Sequence, residues 1–277
     1  MIVTLNEVMQ YAEANGCAIG AFNAVNLESI QAILGAAEEL NQPVILMHAQ
    51  VHEEMGLCKM ETMAPIMQLL AERASVPVCL HLDHGTSLGY LNRALELGFT
   101  SVMYDGSNLD YDRNCANTQI IRAVADQYGA SVEAEIGSMG AGESGNGGSE
   151  SIYTDPNMAK KFVEDTGIDA LACSFGTVHG LYLTEPKLDF DRVKTIRSMI
   201  DVPIVMHGGS GVCTEDYKKL IQLGVRKINY YTYMAKAGGQ GVADMEDRRF
   251  FHDIAVAAEK AMKADVKKAM TVFAGLE

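Results

Sequence analysis

Basic residues are scarce in this chain of 277 residues: 22 Lys and Arg stand against 36 Asp and Glu, for a formal charge of −14. A surface that negative does not suit a phosphate backbone or an anionic bilayer, so nucleic acid and membrane are set aside as partners. An anionic substrate would need local donors or a metal to bind. No apolar run approaches the roughly 20 residues of a bilayer span, and the opening "MIVTLNEVMQYAEANG" lacks the basic start and apolar stretch of a signal peptide. The six cysteines (17, 58, 79, 115, 173 and 213) form no CxxC pair. With no export signal they read as reduced thiols in a cytoplasmic protein. The rest of the composition, 48% hydrophobic and 21% charged, is that of a soluble globular chain.

Short apolar runs alternate with helical segments. Strands are expected at 18–23, 43–49, 77–83, 100–105, 130–137, 170–175, 203–209 and 225–230. Helical patterns fill the gaps between them, several opening on Ser, Thr or Asp and closing on Gly as capped helices do. A further helix precedes the first strand, and another closes the chain. Eight strands alternating with helices predict an α/β fold, a single (β/α)8 TIM barrel spanning 1–277 with an extra N-terminal helix and a C-terminal helical extension. A doubly wound open sheet is the alternative, disfavoured because no glycine fingerprint follows the first strand.

The polar residues favour the barrel. Asn23 ends the first strand, Asp83 and His84 the third, Asp105 the fourth and Glu135 the fifth. His179 follows the sixth, His207 ends the seventh and Asn229 the eighth. In a barrel these positions converge on the mouth where such enzymes keep their chemistry. The expectation is that polar groups gather there and not in mid-strand. Within "HLDHG" (81–85), His81, Asp83 and His84 cannot all face one way on a regular strand, because side chains alternate.

Three imidazoles, His84, His179 and His207, can meet on the third, sixth and seventh strands, and three histidines with an open position suit a catalytic zinc. Asp83 is a candidate ligand neighbour that could act as general acid/base. Asp105 and Glu135 could orient ligands, hold a second divalent or a monovalent cation, or simply bond to backbone. His48 and His52 could line the mouth, His81 reads as a core group and His252 as a surface one. The Gly/Ser-rich stretch 137–156, carrying Glu143 and Glu150, is expected to be a mobile active-site loop, its core at 137–154. In "HGGSG" (207–211) glycines would let backbone amides approach an anion.

The stretches "AFNAVNLESIQAILGAAEELNQPVIL", "HLDHG", "VMYDGS", "VEAEIG", "YTDP", "GTVHGLY", "EPKLDF", "HGGSG" and "KIN" occur in one order. Together they resemble the class II, zinc-dependent ketose-bisphosphate aldolases, over nearly the whole chain. The resemblance implies that His84, His179 and His207 hold zinc and that Asp83 exchanges a proton with the C4 hydroxyl. It implies that Glu143 handles the proton at C3 and that Asp105 and Glu135 lie near a second metal position. Gly180, Gly209, Ser210, Asn229 and Thr232 would hold the dihydroxyacetone phosphate half, with Asn23 lining the pocket. It also implies a sugar phosphate as the small-molecule partner and a homodimer or homotetramer. A zinc hydrolase or isomerase on the same barrel is the competing reading.

The departures concern the substrate. Leu183 stands where relatives commonly have a lysine near the substrate phosphate, and "NYYTYMA" (229–235) puts Tyr230, Tyr231, Tyr233 and Ala235 where relatives carry Asp and Arg. A smaller, uncharged or differently charged tail is expected in place of a second phosphate. No lysine stands at a strand end, Lys227 lying within the eighth strand, so a Schiff base is disfavoured.

Overall fold

A computed structural model describes residues 1–137, 153–182 and 185–276. A two-residue strand, β1 (Ile2–Val3), runs parallel to the start of β4. Eight further strands follow: β2 (Ile19–Asn23), β3 (Val44–Ala49), β4 (Val78–Gly85), β5 (Ser101–Tyr104), β6 (Ser131–Ile136), β7 (Ala170–Cys173), β8 (Ile204–Met206) and β9 (Val225–Asn229). All pair in parallel with their sequence neighbours, and β9 returns to β2, closing the expected barrel. The helices are α1 (Leu5–Asn15), α2 (Leu27–Leu40), α3 (Gln50–Glu54), α4 (Met60–Arg73), α5 (Leu88–Glu96), α6 (Tyr111–Tyr128), α7 (Pro156–Thr166), α8 (Phe190–Arg197), α9 (Thr214–Gln222), α10 (Thr232–Ala243) and α11 (Phe251–Phe273). None among the described residues is long and apolar enough to cross a membrane.

Local chemistry sets the helix ends. Thr4 and Glu7 form a reciprocal capping box on α1, and Ser87, Asp110, Asp155 and Asp189 each accept a backbone N–H in the first turn of α5, α6, α7 and α8. Two helices were not expected. The five-residue α3 is too short to show a period, and α10 carries Gly238, Gly239 and Gly241, which lower helix propensity. Gly238 and Gly241 serve packing against α11. A Cβ on Gly241 would sit 2.5 Å from Ala261 Cβ and 2.9 Å from the Ala257 carbonyl, so only glycine lets α10 lie this close to α11.

The core has two layers. Outward-facing strand residues pack against the helices, and a smaller interior cluster of Ile19, Ala21, Ile45, Met47, Cys79, Met103, Ala172 and Val205 fills the barrel. Leu5, Val8, Met9 and Ala12 of α1 join that cluster and stopper its lower end. One expectation is corrected here. Polar residues are not confined to strand ends: His81, Ser101, Glu133 and Lys227 are almost completely buried in mid-barrel. Their period-two positions, each two residues before Asp83, Met103, Glu135 and Asn229, put them on the same inward face one layer down.

Candidate active site

The register of β4 and β5 slips between Leu82 and Gly85, and His84 adopts φ 49° at that point. Left-handed backbone is costly for a residue with a Cβ, and such strain concentrates at functional sites. The bulge brings His84 to the inward side that Asp83 and His81 already face. All three residues of "HLDHG" thus serve the interior, which regular alternation would forbid.

At the mouth the rings of His84 and His179 have centroids 4.9 Å apart, and those of His84 and His207 are 4.6 Å apart. The ligand atoms of the three lie within 4.8 Å of one another. His84 Nε2, His179 Nε2 and His207 Nδ1 are buried and make no hydrogen bond. Buried polar atoms without partners are expensive, and three imidazole nitrogens aimed at one point fit a cation. The other ring nitrogens of two are held from behind. His84 Nδ1 bonds Asp105 Oδ2 at 2.8 Å, and His207 Nε2 bonds Glu133 Oε1 at 2.8 Å. Carboxylates in that position fix the tautomer of a ligating histidine. Glu135 Oε2 lies 3.3 Å from His207 Nδ1, and His84, Asp105 and Glu135 form a second group with metal-ligand spacing.

His179 comes from the loop after β7, and that loop is braced against β8. Tyr182 Oη accepts the Val178 N–H at 3.1 Å and donates to the Gly208 carbonyl at 2.8 Å. Gly208 has φ 63°, and a Cβ there would fall 2.3 Å from the Val178 carbonyl oxygen. Glycine is required next to His207 so that His179 can reach it.

Asp83 is gripped by two amides. Asn23 Nδ2 donates to Oδ2 at 2.9 Å, and Asn229 Nδ2 to Oδ1 at 3.0 Å. Burial alone would raise its pKa, but the surrounding charges, His84 first and then Lys227, hold it well below the usual carboxylate range. Burial likewise opposes, and Asp83 and Asp105 outweigh, in His84, which is raised to about 10. His179 is pushed down to about 3 by burial and by the neighbouring histidines. Burial raises Glu135.

A cavity of about 550 Å³ opens above this cluster. Gly180, Gly209, Ser210, Asn229 and Thr232 are among the residues that line it. Thr232 opens α10, whose N-cap makes no side-chain cap bond, and the Tyr233 N–H in its first turn donates to Ser210 Oγ at 3.4 Å. Ser210 Oγ accepts the Tyr231 N–H at 3.1 Å, tying the β8 turn to that helix start. α3 and the turn after it also line the cavity, through Gln50, Val51, His52, Glu54, Met55 and Leu57, and meet the start of α10 where the His52 ring packs on Tyr231. No lysine or arginine lines the cavity among the described residues.

Several expected residues fall elsewhere. His48 does not line the mouth: it points outward from β3, fully buried, with Tyr90 Oη 3.1 Å from its Nε2. Of the tyrosines, Tyr230 and Tyr231 are among the lining residues, and the Tyr231 ring lies 4.5 Å from that of His52. Tyr230 turns its ring onto Phe22 and Phe273 and donates to Asp265 Oδ2 at 2.9 Å. Tyr233 packs against the ring of Tyr230. Glu143 and Leu183 lie outside the described residues. The sequence reading missed Glu133, Lys227 as a site residue, and the α3 wall.

A closed parallel barrel with three imidazoles and a cluster of carboxylates at its mouth has the build of a metal-dependent barrel enzyme. The description "Fructose-bisphosphate aldolase class-II" matches residues 3–276. A "Probable fructose-bisphosphate aldolase" of Bacillus subtilis is 42% identical over 235 residues, covering 83% of this chain and 81% of that one. A Staphylococcus aureus fructose-bisphosphate aldolase is 36% identical over 96% of both chains. Among solved structures, the YdjI aldolase from Escherichia coli superposes with a TM-score of 0.89 at 33% identity, over 99% of this chain and 97% of that one. The chain belongs to the class II fructose-bisphosphate aldolase family and is an aldolase, a carbon–carbon lyase. That membership displaces the hydrolase and isomerase reading.

Proposed function

We propose that the protein catalyses zinc-dependent, reversible cleavage of a ketose phosphate to dihydroxyacetone phosphate, or dihydroxyacetone, and an aldehyde. The observation that carries this is the meeting of three unpartnered imidazole nitrogens beside an ionised, doubly anchored Asp83. His84, His179 and His207 would hold the zinc, which when bound supplies Lewis acidity at the ketone oxygen and stabilises the enediolate. Asp105 steadies the His84 ring, and Asp105 with Glu135 offers a place for a second divalent or a monovalent cation. Asp83 takes the C4 hydroxyl proton as the carbon–carbon bond breaks and returns it to the aldehyde oxygen in synthesis. Asn23 and Asn229 keep its carboxylate aimed at that hydroxyl. Glu143, by resemblance, exchanges the proton at C3; it belongs to the 137–154 stretch, of which residues 138–152 lie outside the described residues. Gly180, Gly209, Ser210, Asn229 and Thr232 receive the phosphate half at the start of α10.

The cavity lining supports a substrate without a second phosphate. Its wall pairs apolar Val51, Met55 and Leu57 with acidic Glu54, and no lysine or arginine among the described residues reaches it. We further propose one catalytic domain over 1–277, a cytoplasmic setting that suits six free thiols, and a homodimer or homotetramer. The exposed Phe250, Phe251 and Val256 near the start of α11 favour self-association. Chelated and zinc-reconstituted protein assayed for triose release from ketose phosphates tests the reaction. Activity that survives complete metal removal overturns it.

A further inference from the structure

Lys227 is fully buried in the barrel one layer below the mouth. Its Nζ lies 2.9 Å from Glu133 Oε2 and donates to Asn229 Oδ1 at 2.7 Å. Each of those partners leads to a different part of the site. Glu133 Oε1 is 2.8 Å from His207 Nε2, and Asn229 Nδ2 is 3.0 Å from Asp83 Oδ1.

Donor and acceptor capacity makes this chain directional. An ammonium only donates and a carboxylate only accepts, so the Asn229 amide between Lys227 and Asp83 has one satisfied orientation. Turned over, it would set N–H against ammonium and carbonyl against carboxylate. Glu133, an acceptor on both oxygens, requires the His207 proton on Nε2 and so leaves the Nδ1 lone pair facing His84 and His179. Among the described residues no other lysine or arginine reaches these two partners: besides His207, the basic group beside Glu133 is His81, which has Nε2 3.7 Å from Oε2 and bonds Ser101 Oγ through Nδ1.

We propose that Lys227 is a positioning residue that sets two groups at once: through Glu133 the metal-facing nitrogen of His207, and through Asn229 the orientation of Asp83. The proposal rests on the zinc reading above and adds to it a single buried ammonium that couples ligand and acid/base.

Substitutions at both ends of the ion pair separate this role from space-filling. Glu133→Gln keeps the volume but has one donor end. Whichever way the amide turns, its N–H₂ meets either the His207 Nε2 proton or the Lys227 ammonium. Combining it with Lys227→Met removes that conflict, since the carbonyl can then serve His207 while the amide nitrogen turns toward His81. Zinc affinity, read by competition with a chromophoric chelator, should fall by about 10–100-fold in Glu133→Gln. In the double variant it should return to within about threefold of wild type, a non-additivity that packing alone would not give. The double variant should nevertheless keep kcat about tenfold or more below wild type with KM little changed, because Asn229 has lost its clamp and Asp83 its alignment. Lys227→Met alone leaves a buried carboxylate without its partner and is the variant most exposed to misfolding, so the decisive comparison is Glu133→Gln against the double, each checked by thermal unfolding. Additive zinc losses, or a double variant with wild-type kcat, overturn the proposal. A wild-type protein that takes up no zinc overturns the metal reading itself.

Discussion

Asp83 and His84 are consecutive in the chain, yet both reach the same cavity, with Asp83 Oδ1 3.9 Å from His84 Nε2. The left-handed turn at His84 and the register slip beside it make this possible. Two consecutive side chains therefore share one strand end, the Asp83 carboxylate close enough to feel the charge of the His84 ring.

The first prediction follows from that separation. Asp83→Asn should retain zinc and substrate affinity while slowing cleavage by about 10²–10⁴-fold, the usual worth of a placed acid/base. Metal analysis and steady-state kinetics on the same preparation check it. Loss of zinc along with activity would make Asp83 a ligand and not the base.

Metal removal is the second. Stripped protein should be inactive and recover on adding zinc, with about one zinc per chain. Borohydride in the presence of substrate should trap no lysine adduct, because Lys227 is ion-paired to Glu133 inside the barrel, away from the cavity. A mass increase of one substrate fragment on a lysine would refute the metal route.

The barrel and its mouth were legible because both depend on period. Strand runs repeat eight times, and a parallel barrel turns each strand end toward one point, so His84, His179 and His207 could be matched across the chain. What stayed hidden depended on local exceptions. Glu133 and Lys227 sit two residues before Glu135 and Asn229, and the inward face could have been followed down by that spacing. His48 was misplaced for the same reason, since on β3 it alternates with inward-facing Met47 and Ala49 and must point outward. The helix α10 went unread because the purpose of Gly238 and Gly241, contact with α11, is long-range.

That contact gives the third prediction. Gly241→Leu should push α10 from α11 and destabilise the fold by about 1–3 kcal/mol, as overpacking does. Gly239, with nothing within 4 Å of an added Cβ, is the control: Gly239→Ala should be neutral or stabilising. Urea titrations of both variants decide it. Because α10 opens at Thr232 beside the cavity, the Gly241 variant should also raise KM for the phosphate-bearing half.

The fourth concerns acid stability. Burial lowers the pKa of His48 below its ordinary 6.5, and Glu53 only partly offsets this. A folded-state pKa below the unfolded one favours the native state fully above the unfolded value and progressively less as pH falls below it. His48 therefore contributes to loss of stability from about pH 6.5 downward. His48→Gln, with an amide in reach of Tyr90, should lower the melting temperature at pH 8 but flatten its decline between pH 7 and pH 5. Parallel curves for the variant and wild type would show that His48 does not titrate on unfolding.

The last prediction is the substrate. A ketose bisphosphate needs donors for both of its phosphates. Gly209, Ser210 and Thr232 line the cavity beside the start of α10, and no lysine or arginine among the described residues lines it. Glu54 lines it together with Val51, Met55 and Leu57, and the His52 ring packs on Tyr231. Ala235 is exposed and outside the cavity lining, so it cannot supply the bidentate contact that an arginine would give. A missing charge-assisted bond is worth about 1.5–3 kcal/mol, and each ~1.4 kcal/mol is tenfold in an equilibrium or rate. Fructose 1,6-bisphosphate should accordingly be a poor substrate, and a ketose 1-phosphate with a neutral or weakly charged C6 group should exceed it by about tenfold or more in kcat/KM. Glu54→Lys should narrow that gap by improving the bisphosphate selectively, whereas Thr232→Val should harm both substrates alike, since it touches the shared phosphate end. Side-by-side kinetics of the two ketoses on wild type and both variants measure it. A clear preference of the wild type for the bisphosphate would mean that the second phosphate finds its cation elsewhere and that the α3 wall does not choose the substrate.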